Sequence, residues 1–321
     1  MNRKIKWLHV SDFHYGKAGY DQEFMTKKII EHVDSKKNEG FKPDLIFVTG
    51  DVANSGKPEE YKAFTNQFIT PLTESLGYDY LERIFVVPGN HDLNREINDG
   101  FSRDKFLKVD GENFHPTEKS RAKRKMLVER FESFIDGIPL DCVKEFKNNT
   151  SAYTTLHLLN GVKVNIAGIN TAWLCEGDSD KNYLTPGVAT TRELLEQHEK
   201  ERDCIFLLGH HPLDWFHINH AMPIQSVLAD HAVIYLHGHM HQEGNARTLN
   251  GAGEFVTFQA GAAWQAPEGS KWKNGLLWGE FDLASNKIAL QPFHWNFENQ
   301  CWTLDGTRFH ENYRIRDRWE F

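Results

Sequence analysis

Long hydrophobic runs are missing from this chain. Stretches such as Leu45-Ile46-Phe47-Val48 and Ile205-Phe206-Leu207-Leu208 stop after a few residues, whereas a membrane-spanning helix needs about 20. No membrane association is expected. The basic N-terminus, Met1-Asn2-Arg3-Lys4-Ile5-Lys6-Trp7, is not followed by an apolar stretch of the length a signal peptide requires, so a cytoplasmic protein is expected. Cysteine is scarce as well. Cys142, Cys175, Cys204 and Cys301 lie far apart with no C-x-x-C pair, which argues against a zinc knuckle and for free, buried thiols. Nor is there an excess of positive charge: 37 Lys and Arg face 45 Asp and Glu, a net of −8. That balance is atypical of a nucleic-acid binder.

What is present is ordinary globular material: 321 residues, 40% hydrophobic and 26% charged. This length allows two domains or one large α/β domain. The 17 histidines stand out, and their positions carry the argument.

Apolar runs of strand length recur at Ile5–Val10, Leu45–Thr49, Ile84–Val87, Val164–Ile169, Ile205–Leu208 and 233–236. Helical periodicity separates several of them. Phe24, Ile29, Ile30 and Val33 make one apolar face, Tyr61, Phe64, Phe68, Ile69 and Leu72 another, and Leu194, Leu195 and His198 a third. Alternating strands and helices predict an α/β fold. Beyond Val233 strand follows strand (254–260, 276–283, 287–294), predicting a second, more antiparallel sheet. The expected architecture is a single domain over 1–321, a four-layer α-β-β-α sandwich of two mixed sheets. Within it, a polar region at about 93–155, with a helix around 121–135, reads as an insertion. The part at about 254–321 reads as β-rich and rich in tryptophan.

Each of five apolar runs ends in ligand-type residues. The turns are Ser11-Asp12-Phe13-His14, Gly50-Asp51-Val52-Ala53-Asn54, Pro88-Gly89-Asn90-His91-Asp92, Gly209-His210-His211-Pro212 and His237-Gly238-His239-Met240-His241. Open α/β sheets build their sites at the carboxyl ends of strands. Carboxylate, amide oxygen and imidazole suit Mn, Fe or Zn, and no thiol occurs in any of these turns. Seven such ligands are more than one ion needs. They fit two ions sharing a carboxylate, an arrangement suited to in-line displacement at phosphorus. Any single histidine chosen from this set reads as well as a core or surface residue; the ordered set does not.

The succession D-x-H, G-D, G-N-H-D, His, G-H-x-H over residues 12–241 resembles the calcineurin-like metallophosphoesterase family. The resemblance implies one metal held by Asp12, His14 and His241, a second held by Asn90, His210 and His239, and Asp51 bridging both. It makes His91 a non-ligand histidine at the scissile phosphate, with Asp92 holding its imidazole in one tautomer. The mechanism implied is hydrolysis by a metal-bridging hydroxide attacking phosphorus in line, with His91 assisting the leaving oxygen. His211 reads as a supporting residue rather than a ligand. His217 and His220 read equally well as cleft-lining or solvated.

The blocks at 7–14 and 45–51 look most like the cyclic-nucleotide phosphodiesterase branch, so a cyclic nucleotide or other small phosphodiester is the expected substrate. Asn54, with no arginine after the G-D block and only Arg95 after G-N-H-D, disfavours a phosphomonoesterase. The alternative is a nuclease of the SbcD-like type, for which the basic cluster 119–125 and Arg130 speak. Flanking Glu118, Glu129 and Glu132 favour a solvated helix face instead. A metal-free scaffold, like a retromer subunit resembling this family, would have eroded ligands, and none is substituted here. The tryptophans at 264, 272, 278, 295, 302 and 319 read as sheet packing rather than a base-stacking platform.

Overall fold

The computed structural model describes residues 3–18, 21–97, 102–107, 114–115, 117–149, 152–177, 179–240, 244–264 and 274–321. Its strands are β1 (Lys4–Val10), β2 (Leu45–Thr49), β3 (Ile84–Val87), β4 (Ala152–Leu159), β5 (Val162–Ile169), β6 (Cys204–Leu208), β7 (Ile234–His237), β8 (Gly244–Asn250), β9 (Gly253–Gln259), β10 (Gly275–Asp282), β11 (Lys287–Asn296), β12 (Cys301–Leu304), β13 (Arg314–Ile315) and β14 (Arg318–Glu320). Its α-helices are α1 (Gln22–Asn38), α2 (Pro58–Phe64), α3 (Thr70–Leu76), α4 (Arg103–Leu107), α5 (Glu118–Glu129), α6 (Glu132–Gly137), α7 (Asp141–Asn149), α8 (Val188–Glu196) and α9 (Ile218–Asp230). Among the described residues no helix is long and apolar enough to cross a membrane.

Two mixed sheets face each other. The first runs β13-β14-β11-β10-β1-β2-β3, with β12 beside β11; the second runs β4-β5-β6-β7-β9-β8. In the first, β1, β2 and β3 are parallel. In the second, β5, β6, β7 and β9 are parallel. Parallel strands covered on both faces read as unbroken apolar runs, which is why these were visible in the sequence. Trp7 of β1 and Phe47 of β2 meet Phe206 of β6 across the sandwich, with ring centroids 5.1 and 5.2 Å apart. On the outer face of the first sheet, His32 of α1 lies against Trp278 and Phe293. Trp278, Trp295, Trp302 and Trp319 are buried in or beside that sheet; Trp272 lies outside the described residues.

Three local expectations need correction. The strands beyond Val233 do not build their own sheet. β8 and β9 extend the second sheet, and the chain then crosses back so that β10 pairs antiparallel with β1. Pairing partners lie far away in sequence, and no local pattern distinguishes one sheet from the other. The helix expected over 121–135 is two, α5 and α6, broken at Arg130 and Phe131. There the buried Arg130 guanidinium donates to the carbonyls of Trp173 (3.3 Å) and Cys175 (2.8 Å). Finally, the four cysteines are free thiols, but only Cys175 is buried; Cys142 and Cys204 are half-buried and Cys301 is exposed.

Candidate metal centre

The carboxyl ends of β1, β2, β3, β6 and β7 converge, and the backbone leaves them in unusual ways. Asp12 (φ 58°), His14 (φ 49°), Asp51 (φ 52°) and His239 (φ 69°) all adopt left-handed conformations. Non-glycine residues seldom do so, and persistent cases cluster at functional sites because surrounding structure must enforce them. Here the enforcement is visible. The amides of Asp12, His14 and Tyr15 donate to the carbonyls of Gly50, Asp51 and Val52 at 2.9–3.0 Å, so the turns after β1 and β2 brace each other. A Cβ on Gly50, whose φ is +90°, would lie 2.6 Å from His210 Nδ1, and a Cβ on Gly89 would collide with Asp51 Oδ1. Only glycine fits either place.

Asp51 lies at the centre. Its Oδ1 accepts from the His91 amide (2.8 Å), while Oδ2 lies 3.3 Å from His210 Nε2 and 3.8 Å from His14 Nε2. Two sets of donor atoms, each within 4.8 Å of one another, include it: Asp12, Asp51 and His210; His14, Asp51 and His91. A third set is His210, His211 and His239. Asn90 Oδ1 lies 3.1 Å from both His210 Nε2 and His239 Nδ1, and those two nitrogens are 3.2 Å apart.

This donor set fits a cation, on hydrogen-bond logic alone. His210 Nδ1 is 2.6 Å from the Thr49 carbonyl. A carbonyl can only accept, so Nδ1 carries the proton and the neutral ring presents a lone pair at Nε2. That lone pair faces the Asp51 carboxylate and the Asn90 amide oxygen. Three acceptors converging in a buried place are repulsive unless a positive charge lies among them. The two carboxylates nearby express the same demand for positive charge: burial works to lower His210, yet the Asp51 charge and hydrogen bond, with Asp12, raise it to about 9, so a proton and a cation compete for the Nε2 lone pair. Asp51 is conversely held well below the usual carboxylate range, because the imidazoles of His210, His91 and His14 outweigh its burial.

Thr171 locks the turn after β6. Its hydroxyl accepts from the His210 and His211 amides, both at 3.2 Å, and lies 2.9 Å from His211 Nδ1. His211 is thus supported by a side chain while it flanks His239. His220 contacts Thr185 (2.6 Å) and His217 caps α9.

One expected pairing is overturned. Asp92 does not hold the His91 ring. Its carboxylate accepts from the amides of Gly89 (2.8 Å), Ala53 (2.9 Å) and Val52 (3.2 Å) and from the Tyr61 hydroxyl (3.2 Å), tying the turn after β3 to the turn after β2. Burial and the Asp51 charge push its carboxyl up to about 7, against the pull of those amides. The His91 ring is held instead by the backbone carbonyl of Asn54, 2.9 Å from Nδ1, so Nδ1 is the donor and Nε2 faces away. Backbone at Asn54, the hydroxyls of Thr171 and Tyr61, and Trp215 are parts of the site that sequence reasoning missed. Carbonyl and hydroxyl partners leave no spacing signal. Asp12, His14, Asp51, Asn90, His91, His210 and His239 are all brought together; His241 lies outside the described residues.

The family model of calcineurin-like phosphoesterases matches residues 5–243. The chain belongs to that family. Among its relatives are the metallophosphoesterase-like protein YydB of Bacillus subtilis (strain 168) and a probable glycerophosphodiester phosphodiesterase, GpdQ, of Arcobacter nitrofigilis. YydB is 23% identical over 97% of this chain, and GpdQ 33% identical over 33% of it. The chain spans 65% of the length of YydB and 39% of that of GpdQ. A solved structure, the GAP50 anchor in the inner membrane complex of Plasmodium, is 13% identical, covering 91% of this chain and 84% of that one, with a TM-score of 0.48.

Proposed function

We propose that this member of the family hydrolyses phosphodiesters with two bound cations, and that its substrate is a cyclic nucleotide or another small diester. The observation that carries the reading is Asp51. One oxygen of this buried carboxylate, Oδ2, lies 3.3 Å from His210 Nε2 and 3.8 Å from His14 Nε2, within reach of both sets of ligands that two ions would use. Asp12, His14 and His241 would hold one cation, Asn90, His210 and His239 the other; Mn, Fe and Zn all accept such donors. When bound, two cations supply Lewis acidity toward the phosphoryl oxygens and lower the pKa of water.

The remaining chemistry belongs to the chain. With Nδ1–H committed to the Asn54 carbonyl, His91 offers Nε2 to the scissile group and delivers a proton from that atom to the leaving oxygen. Asp92 acts at one remove, by fixing the two turns that carry Asp51 and His91. No arginine follows the G-D block at 50–56, and Arg95 is exposed. Both favour a diester over a monoester. The nuclease alternative loses its strongest cations: Arg124 is buried over the Trp173 ring, 5.6 Å from its centroid, and Arg130 is buried against two carbonyls.

The test is turnover of bis(p-nitrophenyl) phosphate against p-nitrophenyl phosphate with added Mn²⁺. Diester turnover that disappears in Asp51→Asn is the expected result. Preference for the monoester, or unchanged diester turnover in Asp51→Asn, would overturn the reading.

A further inference from the structure

The carbonyl that holds the His91 ring belongs to a peptide group with a second, charged partner. The Asn54–Ser55 peptide accepts from His91 Nδ1 through the Asn54 oxygen (2.9 Å). Its N–H, carried by Ser55, donates to Glu60 Oε2 (3.2 Å). In a trans peptide these two groups point in opposite directions, so the imidazole lies on one side and the carboxylate on the other. Glu60 is only 5% exposed, and both its oxygens are engaged. Oε2 also accepts from the Lys57 amide (2.7 Å), and Oε1 accepts from the Ser55 hydroxyl (2.8 Å). Pro58 opens α2, which places Glu60 in the first turn with its side chain reaching back to the cap residue Lys57. Neighbouring turns press on the same place. A Cβ on Gly16 would collide with Glu60 Oε1, so the turn after His14 lies against the carboxylate. One on Gly56 would lie 2.8 Å from the Asn94 amide, so the loop also lies against the residues after His91. The Asn54 amide is secured in turn by the Tyr15 carbonyl (2.9 Å).

Hydrogen bonds in a chain polarise one another, and a peptide whose N–H donates to an anion is a stronger acceptor at its carbonyl. We propose that Glu60 is the positioning residue of His91, acting through the Asn54–Ser55 peptide where a carboxylate in direct contact with the ring was expected. The proposal rests on the reading of His91 as proton donor and deepens it. With Nδ1–H drawn to a strengthened carbonyl, the ring keeps one orientation and Nε2 is the atom directed at the leaving oxygen. The proton passes from Nε2 to that oxygen as its bond to phosphorus breaks. If Glu60 served only to cap α2, its bond to Lys57 would suffice, and the two further bonds to Ser55 would have no purpose. A cap alone also predicts a loss of activity indifferent to the leaving group.

The experiment compares methyl phenyl phosphate with methyl p-nitrophenyl phosphate as substrates of the metal-loaded full chain. Phenolate needs a proton on leaving far more than p-nitrophenolate does. Glu60→Ala is expected to lose about tenfold on the phenyl ester and less than about threefold on the p-nitrophenyl ester, a fraction of what a general acid supplies. Metal content should stay unchanged. Residues acting as a unit are not additive, so Glu60→Ala should cause no further loss in a His91→Ala background. Glu60→Gln, whose amide oxygen can still accept from both backbone amides, should lie between wild type and Glu60→Ala. A second readout needs no turnover: the Nδ1–H proton resonance of His91 in Zn²⁺-loaded, ¹⁵N-histidine-labelled protein, assigned by its absence from His91→Ala. It should move upfield in Glu60→Ala and less far in Glu60→Gln. Should Glu60→Ala fail to fold, Glu60→Gln carries both comparisons, with about a threefold loss on the phenyl ester. Equal losses on the two esters, a further loss in the His91→Ala background, or a resonance that does not move would overturn the proposal. Failure of the underlying reading shows separately, as wild-type protein that hydrolyses neither ester while the His91 resonance still follows Glu60.

Discussion

The two ends of the same strands treat polar groups in opposite ways. At the amino ends of β6 and β7 a cleft of about 670 Å³ is lined by Arg202, His231, Arg247 and Glu254, among others, and charges there neutralise each other. Arg202 donates to the Leu195 carbonyl and meets His231 Nδ1 at 3.1 Å; His231 lies 3.0 Å from Glu199; Arg247 Nε donates to Glu254 at 2.9 Å. At the carboxyl ends, acceptors face acceptors: the His210 lone pair, the Asp51 carboxylate and the Asn90 amide oxygen. Polar residues alone therefore do not mark a site. A site is marked by groups whose mutual arrangement is unstable until something joins them.

Breaking that contrast should begin at Asp51. Removing an outer-sphere partner of a metal ligand costs roughly 10–100-fold in affinity or activity, so Asp51→Asn, which weakens a ligand facing both sides of the cluster, should lose more than about a hundredfold in diester turnover. Steady-state kinetics with metal analysis checks it. His91→Ala comes next, with a loss of roughly a hundredfold, at the lower end for a general acid because p-nitrophenolate is a good leaving group. Unlike Asp51→Asn, it should leave metal content unchanged. Smaller again is Tyr61→Phe, which removes a hydroxyl from the buried Asp92. Denaturant unfolding should show a loss of about 1 kcal/mol, typical of one hydrogen bond.

The contrast sharpens with groups away from the site. Burial and the Lys36 charge lower His32 to about 4, against an ordinary value of about 6.5. The folded protein thus binds fewer protons than the unfolded chain between those values. Its stability is whole above pH 6.5 and falls as pH drops toward 4. In His32→Phe, denaturant midpoints should vary less across that window. The smallest effect is expected at the opposite end: Arg247→Ala breaks an exposed ion pair and should change stability by no more than about 0.5 kcal/mol, with diester turnover unaltered.

Sequence legibility followed the same physics. The strands that carry ligands were visible because burial on both faces makes them continuously apolar. β4, with Thr154, Thr155 and His157, and β8, reading Gly-Asn-Ala-Arg-Thr-Leu-Asn, are polar edge strands and left no such signal. Asp12, His14, Asp51, Asn90, His91 and His210 were legible because side-chain donors must occupy fixed places after those strands. The partner of the His91 ring was not, because any residue at position 54 supplies the same carbonyl. The basic cluster misled in a different way. Charge in a sequence does not say where an aliphatic stem leads, and Arg124 and Arg130 lead inward.

The most direct test of the central claim, that Asp51 joins two cations, is the electron paramagnetic resonance spectrum of the Mn²⁺-loaded protein. A shared carboxylate predicts exchange-coupled manganese in wild type and collapse of that coupling in Asp51→Asn. Uncoupled, isolated manganese in the wild-type protein would contradict the account.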